Sequence, residues 1–203
     1  MFLSRSRPVV YSQAEHARLS AVIAAAWAVP PPLPFESFVR GVALHDRGYG
    51  ELDMDSLGAV DDDRWLEIMR RGFEPQTDDP VVDLVVALHV RRLVSFARPS
   101  VLAEFDAVLP ARLDAAGVTE DDARAADLVT NLCDRLSFSF CFEENDEGRV
   151  GEWSFAVAAD GSATVAPWPL RVPALAETVV GYRAHGYPSR LDPVECVFRL
   201  EPG

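Results

Sequence analysis

Apolar and polar positions recur with a helical period over most of this chain and with a period of two only near its end. From Gln13 to Trp27 the sequence is Ala-rich, and His16, Leu19, Ser20 and Ile23 share one face at i, i+3, i+4 and i+7. Ser12 precedes this run as an N-cap, after a short extended segment from Pro8 to Tyr11. Pro30-Pro31-Pro32-Leu33-Pro34 ends the first helix. A second is predicted from Phe35 to about Arg47, with Phe38, Gly41, Val42 and His45 on one face and Gly41 admitting a close neighbour. Asp61-Asp62-Asp63 opens an amphipathic helix from Arg64 to about Glu74. The run from Pro80 has the apolar density of a buried central helix, in which Val82, Val85, Val86, His89 and Leu93 form a stripe. Pro99 to Ala116 predicts another helix, closed by Gly117, and Thr119 with Asp122 opens the last one, to about Phe142.

After Gly148 the pattern changes. Trp153 to Val157 alternates, Asp160-Gly161 is a hairpin signal, and Thr164 to Ala166 pairs back. Pro167 to Leu170, Thr178 to Tyr182 and Val194 to Leu200 suggest two or three more short strands. The expectation is a mainly α protein, with a helical bundle over residues 1–148 and a small antiparallel sheet over 149–203 packed on it as one globular unit.

Composition narrows the function. At 203 residues, 49% apolar and 25% charged, the chain suits an ordinary globular domain. All 19 basic residues are Arg, against 32 acidic ones, and the net charge of -13 disfavours a nucleic-acid partner. An anionic ligand would need local compensation from a metal or an Arg. Cys133, Cys141 and Cys196 show no CxxC spacing and read as free thiols in a reducing compartment. With no leader pattern and no run near the roughly 18 apolar residues of a membrane span, the expected location is the cytoplasm, with no membrane partner. Composition leaves the oligomeric state open, a homodimer being compatible.

Three of the four histidines, His16, His45 and His89, fall among apolar neighbours on predicted helices. One such histidine is commonly a satisfied core residue. Three, together with Asp46 beside His45 and a buried-looking Asp134, point instead to a shared cation, which needs neutral imidazoles and ionised carboxylates that converge. His89 stands where a Leu would normally be, and a buried imidazole without a partner costs stability. Asp53 and Asp55 are candidate outer carboxylates that would hydrogen-bond the ligands. His185 reads as a turn residue without a role.

The order His16, His45-Asp46, Asp134 on a helical bundle resembles the HD-domain superfamily of metal-dependent phosphohydrolases. More closely, Gln13 to Leu19, His45-Asp46-Arg47-Gly48-Tyr49, Leu88-His89, Cys133 to Ser137 and Ala166 to Pro169 resemble an uncharacterised bacterial family, a domain of unknown function with an HDxGW-type motif. Tyr49 and Leu52 stand where those relatives usually carry Trp. The resemblance implies an HD-domain-like fold and one or two divalent ions (Mn, Fe or Zn) held by His16, His45, Asp46 and Asp134. Asp46 would bridge if two bind, and His89 would be an added ligand or a contact to substrate oxygen. The implied activity is hydrolysis of a small phosphorylated substrate by metal-bound hydroxide, with Asp46, His89 and Arg47 as the catalytic set. Arg47, Arg91, Arg92 and Arg135 all lie near predicted ligands and are candidates to neutralise developing charge. An iron-dependent oxygenase of HD-like type, and a non-catalytic protein that binds a metal or small ligand, are the alternative readings.

Overall fold

The sheet recruits strands from both ends of the chain. The computed structural model describes residues 1–5, 7–55, 60–143 and 146–203, Asp55 by its backbone alone. Of the described residues, 50% are helical and 21% strand, so the sheet is a full layer of the architecture. Its seven described strands are β1 (Phe2–Leu3), β2 (Val9–Tyr11), β3 (Asp146–Val150), β4 (Trp153–Val157), β5 (Ser162–Ala166), β6 (Leu175–Arg183) and β7 (Pro193–Pro202). They are ordered β1-β2-β6-β7-β5-β4-β3, and the sheet is mixed because β5 runs parallel to β7.

This overturns the expected HD-domain-like bundle with a small antiparallel C-terminal sheet. β2 is the extended segment expected before Ser12, but two or three residues carry no period that tells which strand they join. β2 is placed by pairing across the chain, Val9 opposite Arg183 and Val10 opposite Tyr182, and β1 pairs onto β2. The division expected at 148/149 falls inside β3. The hairpin at Asp160-Gly161 is present: Gly161 takes φ 87°, and Asp160 Oδ1 accepts from the Ser162 amide.

Eight α-helices are described. Ser12 caps α1 (Gln13–Ala25) by accepting from the Glu15 amide, and the proline run precedes α2 (Phe35–Ala43). A 3₁₀ turn at Arg47–Tyr49 leads to α3 (Leu52–Asp55), and Asp61 caps α4 (Asp62–Phe73). Asp79 caps α5 (Pro80–Ala97), whose Pro80 sits where a missing N–H is harmless. The stretch from Pro99 to Ala116 is not one helix: a 3₁₀ turn, α6 (Leu102–Asp106) and α7 (Leu109–Ala116) share it, and Gly117 closes it at φ 64°. Thr119 caps α8 (Glu120–Phe138), which continues as a wider π turn over Ser139–Glu143.

One core joins helices to sheet. Leu19 and Ile23 of α1 and Leu132 and Leu136 of α8 pack with Phe155, Val165, Val179, Phe198 and Leu200. A second apolar cluster, Ile68, Met69, Phe73, Val86, Val90 and Phe105, fixes α4 and α6 against α5. Among the described residues, no helix is long and apolar enough to cross a membrane.

The α2–α5 crossing depends on Gly41. A Cβ there would lie 2.6 Å from Val85 Cβ, an atom that cannot move without the α5 backbone. Gly41→Ala is therefore expected to destabilise the fold by about 1–3 kcal/mol, overpacking outweighing the roughly 1 kcal/mol gained in helix propensity. A urea titration reads this directly; a stability equal to or above that of the parent would show that α5 can yield.

Candidate metal centre

The sheet-facing helix α1, the end of α2, α5 and α8 bring His16, His45, Asp46, His89 and Asp134 to one buried point. Asp53, on α3, anchors the start of α1 by accepting from the amides of Gln13 (2.8 Å) and Ala14 (2.9 Å). It thus holds the first turn of the helix that carries His16, and it does not touch the cluster ligands as expected. The Asp55 side chain lies outside the described residues.

His45 and Asp46 are not on a helix. α2 ends at Ala43, Leu44 takes φ -111° and ψ 7°, and the pair occupies the turn before the 3₁₀ segment. Gly48 then lets that segment meet α4, since a Cβ on it would lie 2.3 Å from the Ile68 carbonyl oxygen. In this turn His45 Nδ1 donates to the Val42 carbonyl at 2.7 Å. A carbonyl only accepts, so neutral His45 presents a lone pair at Nε2.

That lone pair faces His16 Nε2 at 3.0 Å. Asp134 Oδ1 lies 3.2 Å from His16 Nε2 and 3.7 Å from His45 Nε2; Asp46 Oδ2 lies 3.5 and 3.7 Å from the same two nitrogens. Behind His16, Ser137 Oγ is 2.7 Å from Nδ1 and 2.6 Å from Ser20 Oγ, while also donating to the Asp134 carbonyl at 3.0 Å. Ser137 has one proton to give: sent to His16 Nδ1 it puts the imidazole proton on Nε2, facing His45; sent to the carbonyl it makes Nδ1–H the donor and leaves Nε2 a second lone pair. In that second arrangement four acceptors meet without a donor. Only a proton on His16 Nε2, or a cation, relieves them. Tetrahedral ligands at bonds of roughly 2.0–2.1 Å are spaced about 3.3–3.4 Å apart, and the five separations that involve His16 or His45 run from 3.0 to 3.7 Å around that spacing.

Charge points the same way. Burial, then the neighbouring His89, pushes the His45 imidazole down to about 4. Burial opposes ionisation of Asp46 and Asp134, but the surrounding imidazoles outweigh it and hold both carboxyls below their usual range. The carboxylates are also the cluster's way out: their side chains are 8% and 12% exposed, against 0–2% for the three imidazoles. A cavity of about 260 Å³ opens at Asp46, its lining including Ala17, Ala43, Leu44, Arg47 and Asp53.

His89 is bound differently. Arg92 Nη2 donates to its Nδ1 at 2.9 Å and lies 3.3 Å from Asp134 Oδ2, and Arg92 is anchored in turn on the Asp127 carboxylate. Neutral His89 therefore carries its proton on Nε2, 3.4 Å from Asp46 Oδ1. That contact is off the hydrogen-bond direction, leaving a buried N–H without an aligned acceptor. His45, Asp46 and His89 nonetheless offer donor atoms within 4.8 Å of one another, as do His16, His45 and Asp134.

Arg47 lines the cavity at Asp46, but its guanidinium is turned away from the cluster. Its guanidinium, 7% exposed, pairs with buried Asp83 at 2.6 Å and donates to the Glu74 carbonyl. Arg91 pairs with Asp106 and Arg135 with Asp146. Of the four candidate arginines, only Arg92 contacts a cluster side chain among the described residues. Ser20, Ser137 and Asp127 were assigned no role from sequence. Their signal was positional: Ser20 follows His16 by four residues and Ser137 follows Asp134 by three, each on the same helix face.

The family described as Protein of unknown function (DUF3891) matches residues 3–183, and the chain belongs to it. The match carries no link to the HD-domain superfamily. Neither the curated proteins nor the solved structures contain a match to this chain.

The Arg47–Asp83 pair yields a test that separates scaffold from site. Arg47→Met leaves Asp83 buried without its cation and is expected to cost about 3–5 kcal/mol in urea unfolding. Metal content per folded molecule should be unchanged; loss of metal at intact stability would return Arg47 to the site.

Proposed function

We propose that this protein is a metal-dependent hydrolase of a small phosphorylated substrate, with His16, His45, Asp46 and Asp134 holding a divalent cation. The supporting observation is that His16 Nε2 and His45 Nε2 lie 3.0 Å apart in a buried pocket, with Asp134 Oδ1 and Asp46 Oδ2 each 3.2–3.7 Å from both nitrogens. Two imidazoles and two carboxylates suit Mn, Fe or Zn. Bound there, such an ion supplies Lewis acidity toward a phosphoryl oxygen and a lowered pKa for water.

The protein's own groups fill the remaining roles. The Val42 carbonyl and Ser137 orient the two imidazoles through their far nitrogens, fixing which face is basic. Asp46 has one oxygen toward the histidine pair and the other toward His89, so Oδ1 is placed to accept a proton from an attacking water. Arg92, through Nδ1, keeps His89 a donor at Nε2, where it can hydrogen-bond a phosphoryl or leaving-group oxygen. His89 thus takes the substrate-contacting role rather than that of a fifth ligand. Arg92 brings positive charge to the same side.

Elemental analysis of protein purified without chelators should find about one equivalent of metal per chain, lost in His45→Ala and in Asp134→Ala. His89→Gln should keep the metal and lower kcat toward phosphomonoesters about a hundredfold, in the range of a lost general acid or oxyanion donor. Metal unchanged in both ligand variants would remove the centre. Metal present with no turnover across a panel of phosphomonoesters and nucleotides would remove the hydrolase. If that metal were iron, oxygen chemistry would replace hydrolysis as the reading.

A further inference from the structure

The stripe that carries His89 does not stop at the cluster. On α5, His89, Arg92, Leu93 and Phe96 follow at i, i+3, i+4 and i+7; on α8, Asn131 and Arg135 flank Asp134. These two faces run outward side by side and form a groove of about 510 Å³, closed on its far side by Gly148, Arg149 and Val150 of β3 and Phe155 of β4. Its inner end is Arg92, the residue that holds His89 and Asp134.

The groove's chemistry is unlike the rest of the surface. The chain carries a net charge of -13, yet the described residues lining this groove include three arginines and no carboxylate. Arg92 is offset by Asp127 and Asp134, and Arg135 by Asp146. Arg149 is exposed; it donates through Nε to the Gly151 carbonyl at 2.9 Å, and its two terminal nitrogens make no hydrogen bond or ion pair among the described residues. That leaves a guanidinium fork open to a bidentate anion. Beside it stand two aromatic rings. Phe96 is 82% exposed, which no core packing accounts for, and the Phe155 ring lies beneath the Arg135 guanidinium at 5.6 Å.

We infer that the groove between α5, α8 and β3 is an anion-binding subsite that takes a phosphate ester with a flat aromatic part, Arg149 and Arg135 receiving the phosphate and Phe96 the ring. Its identity as the substrate's binding site rests on the hydrolase reading above; its capacity to bind the anion does not. The inner arginine meets His89 at Nδ1, the nitrogen away from Asp46, so an anion on Arg149 and Arg135 lies beside the cluster and outside the cavity that opens at Asp46.

Isothermal titration of the full chain as purified, with inorganic phosphate and with phenyl phosphate, tests this. Both should bind, phenyl phosphate more tightly. Arg149→Gln should weaken both by about tenfold, the effect of one lost charge-assisted pair, while Arg124→Gln at another exposed site changes neither. Phe96→Ser should weaken phenyl phosphate by about threefold or more and leave inorganic phosphate unaffected. Both substituted side chains are exposed, so the fold should be retained, and thermal unfolding checks it. An anion held by the metal instead would bind Arg149→Gln as it binds the parent, and that result, or absence of binding by either probe, overturns the subsite. Asp46→Asn separates the two proposals: it should abolish turnover and keep phenyl phosphate binding.

Discussion

A backbone carbonyl can accept a hydrogen bond and cannot give one, and the centre of this molecule follows from that restriction at Val42. Because α2 stops at Ala43, the chain turns back and places His45 Nδ1 against the carbonyl one turn behind it. The lone pair at Nε2 is then aimed inward with no freedom to become a donor. Everything else in the pocket responds to it. His16 meets it from α1, Asp46 follows it in the same turn, and Asp134 reaches it from α8. A protein that gathers acceptors in this way carries a concentration of negative potential that its apolar core would otherwise penalise.

The layers divide the labour around that point. The sheet and the faces of α1 and α8 make the principal core, so two of the helices that carry the His–Asp cluster are fixed by burial against strands. α5 is fixed from the opposite side by α4 and α6, and from α2 by the contact at Gly41. Hydrogen bonds then refine what packing positions: Asp53 sets the first turn of α1, and Asp127 sets Arg92. Rigid placement from two layers suits a centre whose donor atoms must agree to a few tenths of an ångström.

Much of the site was legible in the sequence because it breaks the apolar pattern. His16, His89 and Asp134 occupy helix faces where Leu or Val belongs, and helical period alone puts them inside. Local capping was legible for the same reason of short range: Ser12, the acidic turn at Asp61, Gly117 and Thr119 all act within one turn. The arginines were not. Period gives the direction of a Cβ, but a guanidinium ends several bonds further on, so Arg47 turned to Asp83 while Arg92 reached the cluster. The fold class failed at the N-terminal strands: Pro8 to Tyr11 reads as extended, but the pairing of β2 with β6 spans nearly the whole sequence and leaves no local trace, and β1 enters the sheet only through β2. The end of α2 at Ala43 was hidden too, because His45 and Asp46 continue a plausible helical stripe past the residue where the helix stops.

The insertion of β2 beside β6 has a consequence for how the molecule is made. β2 leads directly through Ser12 into the helix bearing His16, and its partner strand ends at Arg183. Contacts between such distant segments close late, since the loop entropy must be overcome before they repay it. On a ribosome, the helices could collapse early while the first strand waited for a partner not yet synthesised. His16 would lock into register only once β6 had emerged, so the nascent chain would complete its His–Asp cluster well after the last residue of that cluster, Asp134, had been made.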